Sequence, residues 1–214
     1  MSCRANNRSI VAAAIPLLTF SATIALAANA LRVSSEQSTP QLSVRVYAFA
    51  GLSPWLLRSA EVEANRLLID VPIEFDWVNC IERPFLAACT SDIAPRDLVV
   101  RVLAKALPQA SMDALGIAGS KGGDSIAFVF YDRMLALRTH EKPLPWIVGR
   151  VLAHEITHLL LPEEGHSDRG LMRAMWAADD MRPDSSACVG LSVASVQLMQ
   201  KEAFRRSVGA LNSR

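Results

Sequence analysis

Three of the four histidines in this 214-residue chain fall within thirteen residues, in the stretch "VLAHEITHLLLPEEGH" that ends at His166. Two of them, His154 and His158, stand four apart inside a segment from about Leu144 to Leu161 that reads as a helix, with Pro145 in its first turn. Residues four apart on a helix project from one face, one turn above the other. Two imidazoles so placed can reach one zinc ion. Glu155 follows the first of them and is rotated about 100° from it around the helix axis. Its carboxylate would therefore meet a water on the metal rather than the metal itself. The pattern H-E-x-x-H is specific when it falls on a helix, and a catalytic zinc normally needs one further protein ligand.

Hydrophobic residues make up 51% of the chain, and an apolar segment at the start inflates that figure. "MSCRANNR" carries two arginines and no acid, and "SIVAAAIPLLTFSATIALAA" then runs without a charge into small residues. Ala25-x-Ala27 and Ala28-x-Ala30 offer cleavage sites, so residues 1–30 have the layout of a secretory signal peptide. Export to the periplasm or beyond is expected, with an uncut N-terminal membrane anchor as the alternative. Once the leader is cleaved, no stable membrane association is expected. Removing those residues leaves 20 basic and 21 acidic side chains. That near-neutral balance gives no reason to expect nucleic acid or an anionic membrane as a partner.

Export permits disulfides. Cys80 and Cys89 bracket the short stretch "IERPFLAA" that one bridge could close, which would leave Cys188 over. Three buried thiols are the other reading. No C-x-x-C occurs, which argues against a cysteine metal knuckle.

Residues 31–40, "LRVSSEQSTP", read as a flexible lead-in to one domain over 41–214. "LSVRVYAFAGL" (42–52) alternates and reads as a strand. A helix follows, with Ser53 as N-cap and Pro54 in its first position. "IEFDWVNC" (73–80) alternates again, and "DLVVRVLA" (97–104) is so apolar that it suits a central strand. "LPQASMDALGIAGSKGGDS" reads as a long loop, and 126–135 as a fourth strand. After the helix that carries His154, residues 191–211 form a last amphipathic helix.

The stretch 151–176 resembles the metzincin clan of zinc peptidases, whose pattern is H-E-x-x-H-x-x-G-x-x-H followed by a methionine turn. "GHSDRGLM" is similar in particular to a group of short secreted bacterial minimal zincins. The resemblance implies an α+β, zincin-like single domain: a mixed, mostly parallel sheet with an antiparallel edge strand, an active-site helix, a Met-turn and a C-terminal helix. It implies Zn2+ as cofactor, held by His154, His158 and a third ligand.

Here the chain departs from the clan. The clan's third histidine position, ten after the first, is Glu164, and the clan's glycine is Leu161. His166 stands twelve after the first. Pro162 would stop the helix and Gly165 would make the turn just before His166. Imidazole suits zinc, so His166 is preferred over Glu164. Glu202 in the last helix is a further alternative.

The resemblance also implies that Met172 forms the apolar floor beneath the metal. Glu155 would be the general base toward a zinc-bound water in peptide-bond hydrolysis, making the chain a secreted endopeptidase acting on a peptide or protein. It implies that "IAFVFYDRM", with Phe128, Val129, Phe130 and Tyr131, is the edge strand on which an extended substrate pairs. Trp176 could line the pocket wall. Some metzincins add a tyrosine soon after the methionine, and none follows Tyr131 here. The alternative function is therefore a zinc-containing binding or scaffold protein of the same fold that does not cleave.

Overall fold

The computed structural model describes residues 39–81, 84–121, 124–140, 143–162, 164–176 and 190–212. The expected leader, most of the lead-in and Cys188 lie outside the described residues. The element order is β1 (Gln41–Ala48), α1 (Pro54–Leu67), β2 (Glu74–Asn79), α2 (Ala87–Thr90), β3 (Asp97–Leu103), β4 (Gly116–Lys121), β5 (Asp124–Phe130), α3 (Tyr131–Ala136), α4 (Leu144–Leu160) and α5 (Val193–Asn212). The protein is thus a mixed α/β structure.

The strands form one sheet in the order β2-β1-β3-β5-β4. β1 runs parallel to β2 and β3, β3 runs parallel to β5, and β4 alone is antiparallel, on β5. The near-continuous apolar run of β3 is explained by its central place, with Leu98, Val99, Val100 and Val102 all buried. Register aligns one side chain row across the sheet: Val46 with Val100, and Val100 with Ala127. That row joins Leu57, Ala60 and Ala64 of α1 and Ile147, Leu152 and Ile156 of α4 in the main core cluster.

Local chemistry sets the ends of α1. Ser53 accepts a hydrogen bond from the Leu56 amide at 3.2 Å, and Pro54 takes the first helical position, where its missing N–H costs nothing. The disulfide joins Cys80 to Cys89, whose Cα atoms lie 5.6 Å apart. Tyr47 Oη donates to the Cys89 carbonyl, and Arg45 donates to the carbonyls of Ser91 and Asp92 and pairs with buried Asp97, so the loop after the bridge is held to β1.

α4 is buried over nearly its whole length, and α1 packs closely along it. A Cβ built on Gly149 would lie 2.6 Å from the Ala60 carbonyl oxygen and 2.6 Å from Glu63 Cβ. Backbone and a β-carbon cannot turn away as a side-chain tip can. Gly149→Ala gains about 1 kcal/mol in helix propensity and loses more by forcing the helices apart. A net destabilisation of about 1–3 kcal/mol is expected, read as a lower denaturant midpoint at unchanged slope; an unchanged or raised midpoint would show that the helices relax freely.

The expected edge strand is corrected by the sheet order. Phe128, Val129 and Phe130 lie in β5, which is flanked on both sides, and Tyr131 begins α3. The edge belongs to β4, inside the segment that reads as a loop. β4 is poor in β-forming residues, with Gly116, Ala118, Gly119 and Ser120 around Ile117. Its stability comes from pairing with β5 and from the helix above it, neither of which shows in local composition.

Candidate metal centre

α4 presents His154 and His158 from successive turns, as their spacing requires. The helix ends at Leu160, directly before the Leu161 cap and Pro162, whose ring and missing N–H do not suit helix continuation. The chain then turns back, the Glu164 amide donating to the Leu161 carbonyl at 3.0 Å. The turn falls before Gly165 rather than on it: among the described glycines of this region, the left-handed conformation belongs to Gly170, with φ 78°. His166 follows the Leu161–Glu164 turn and precedes Gly170.

His158 Nε2 lies 3.2 Å from His154 Nε2 and 3.2 Å from His166 Nε2. A tetrahedral zinc about 2.0–2.1 Å from each of its ligand nitrogens separates them by about 3.3–3.4 Å. The three ligand atoms all lie within 4.8 Å of one another, and among the described residues this is the one group of three or more potential ligands so clustered. The three imidazoles can therefore hold one divalent ion. The cluster grades from buried His154 through half-buried His158 to exposed His166, so one side of it opens to solvent.

The second set of contacts orients these rings. His154 Nδ1 donates to the Leu171 carbonyl at 2.8 Å, which puts the lone pair of the neutral ring on Nε2, toward the cluster. The same carbonyl accepts from Trp176 Nε1 at 3.3 Å, and the Trp176 ring meets His154 edge-on with centroids 5.4 Å apart. The Ser167 amide donates to the Met172 carbonyl at 2.7 Å, closing a loop immediately after His166. Residues 167–173 thus tie the third histidine to the first through backbone groups. Met172 itself is 6% exposed.

Burial lowers the pKa of His154 to about 4, with the charges of His158 and His166 adding to the effect and the Leu171 hydrogen bond opposing it. Burial, then the neighbouring His166, lowers His158 to about 4. Both helical imidazoles are therefore neutral near pH 7, the form that binds a metal. Glu155 is 3% exposed, and burial raises its carboxyl to about 8. Its Oε2 is buried with no hydrogen-bond partner among the described residues. Such an atom calls for a ligand or a solvent molecule.

Glu164 and Glu202 are both engaged by other partners. Glu164 Oε2 accepts from Ser195 Oγ at 3.2 Å, linking the loop to α5. Glu202 is held by Arg205 and Arg206, and Arg206 also donates to the Leu159 carbonyl near the end of α4.

The histidines and Glu155 lie at a cavity of about 970 Å3 whose apolar wall includes Leu115, Ile117, Leu137, Val151 and Trp176. β4 forms one side of it. Leu115 and Gly116 are site residues that the sequence reading passed over, because nothing in "DALGIAG" marks a strand.

The sequence matches no known family model and no curated protein. Among solved structures, it is similar to archaemetzincin from Methanopyrus kandleri, at 16% identity and a TM-score of 0.48, over 77% of this chain and 97% of that one.

Proposed function

We propose that this chain is an exported zinc-dependent endopeptidase, with residues 1–30 a signal peptide and 41–214 the catalytic domain. The observation that supports this reading best is the convergence of three imidazole nitrogens beside a buried, unpartnered carboxylate oxygen at the wall of one cavity. A site that only stored zinc would gain nothing from Glu155, since burying its carboxyl is unfavourable.

In this reading His154, His158 and His166 are the metal ligands, and bound zinc supplies a Lewis acid for a peptide carbonyl and for water. Glu155 Oε2 takes a proton from the attacking water and returns it to the leaving amine. Met172 packs under the site as the Met-turn residue. The Leu171 carbonyl holds the His154 ring in one orientation and one tautomer. The substrate is a peptide or protein segment, which adds in extended form to the free edge of β4 and reaches into the cavity beside it. The reading includes no nucleic-acid partner, and no stable membrane association once residues 1–30 are cleaved.

The Cys80–Cys89 bridge agrees with an oxidising destination. Among the described residues, no helix is long and apolar enough to cross a membrane.

The direct test is metal content of the purified protein together with hydrolysis of a broad peptide library. One zinc per chain is expected, with cleavage that a chelator abolishes and added zinc restores. A zinc-loaded protein that cleaves nothing in the library would move the assignment to a binding or scaffold role.

A further inference from the structure

We infer that Gly116, on the edge strand, is a positioning residue for Glu155: the absence of a side chain there makes the slot in which the carboxylate is seated. The inference rests on the proposed peptidase reading only for its catalytic consequence.

Register places the missing side chain. Gly116 pairs with Val129 in the antiparallel β4–β5 ladder, and directly paired residues share a face of the sheet. Val129 belongs to the core cluster that packs against α4, so a side chain at 116 would also point at α4. The residue it would meet is Glu155. A Cβ built on Gly116 would lie 2.5 Å from Oε1, 2.8 Å from Cδ and 2.9 Å from Cγ.

Three successive atoms of the side chain are blocked, so rotating the carboxylate tip does not relieve the clash. Glu155 would have to leave its rotamer. Gly119 on the same strand serves as the contrast, since a Cβ there meets nothing within 4 Å. Glycine is thus needed at 116 for reasons that do not hold at 119.

The consequence is a mechanical link between the strand that lies along the cavity and the group that moves the proton. The wall behind the Glu155 carboxylate is the backbone of the strand proposed to receive the substrate. Its place relative to the imidazole cluster is then set by strand position as well as by its own helix.

The test is a double-mutant cycle read by thermal unfolding of the metal-free protein, together with zinc affinity and steady-state kinetics of the loaded protein. Gly116→Ala is expected to lower Tm in the wild-type background and to have little effect beside Glu155→Ala, where the blocked atoms are gone. Glu155→Asp, one methylene shorter, should recover part of the Tm lost by Gly116→Ala; it also provides the reading if Gly116→Ala alone fails to fold. Zinc affinity should be unchanged while kcat falls on the order of 100-fold with KM little altered, as for a reacting group displaced by about 1 Å. Gly119→Ala, where an added Cβ meets nothing within 4 Å, should leave the Tm of the metal-free protein unchanged.

An equal loss of Tm in both Glu155 backgrounds, or a Gly116→Ala protein with wild-type kcat, overturns the inference. If the wild-type protein cleaves no peptide, the peptidase proposal falls, and the stability cycle still decides whether Gly116 seats Glu155.

Discussion

His166→Ala is expected to weaken zinc binding by well over the roughly 10–100-fold that loss of an outer-shell partner costs, while Glu164→Ala leaves it nearly unchanged. The distinction follows from where the two side chains go. His166 Nε2 lies 3.2 Å from His158 Nε2, inside the cluster. Glu164 instead accepts a hydrogen bond from Ser195 at a half-buried position. Losing that bond costs about 1 kcal/mol or less of loop anchoring, not a ligand. Equilibrium competition with a chromophoric chelator at neutral pH measures both variants.

At that pH neither helical imidazole is protonated, so the wild-type reference is not complicated by proton competition at His154 or His158. A Glu164→Ala protein that loses zinc while His166→Ala retains it would place the third ligand ten residues after the first.

The legibility of this histidine cluster in the sequence has a physical basis. The i, i+4 spacing of His154 and His158 is a local rule, and any helix obeys it. α1, β1 and β3 were readable for similar reasons: a serine cap with proline behind it, alternation, and a run of buried aliphatics. The pairing of Cys80 with Cys89 was readable because so short a loop leaves little choice of partner.

What the sequence hid was non-local. β4 is a strand because β5 and α4 hold it there, and its small residues look like loop when read alone. Missing β4 moved the sheet edge one strand inward, onto Phe128–Phe130, although those residues are flanked on both sides. The sequence points to Gly165 for the return of His166, whereas the chain turns at Leu161–Glu164 without a left-handed glycine, held by the Glu164 amide on the Leu161 carbonyl. The Leu171 carbonyl that orients His154 is a backbone atom, and no residue type announces it.

Glu155→Gln should retain zinc and lose about 100- to 10,000-fold in kcat, the range expected when a positioned general base is removed. The amide keeps the shape of the side chain, so the slot beside Gly116 remains filled and the ligand cluster undisturbed. Only the ability to take a proton goes. The same variant should make the metal-free protein more stable near pH 8.

The sign follows from burial. In the folded, metal-free protein burial pushes the Glu155 carboxyl up to about 8, against an ordinary value of 4.5. Below about 4.5 both folded and unfolded chains hold the proton, and the group costs nothing. As pH rises from there toward 8, the unfolded chain releases the proton and the folded one does not, so wild-type stability declines across that window. Glutamine cannot ionise, and the Gln variant lacks this part of the decline. Its advantage at pH 8 should be on the order of 4 kcal/mol, visible as a divergence of the two Tm-against-pH curves between pH 5 and 8 in the presence of chelator. Parallel curves would mean that Glu155 is solvated in the metal-free state. Its strained burial, the reason for reading it as a functional rather than a structural carboxylate, would then be lost.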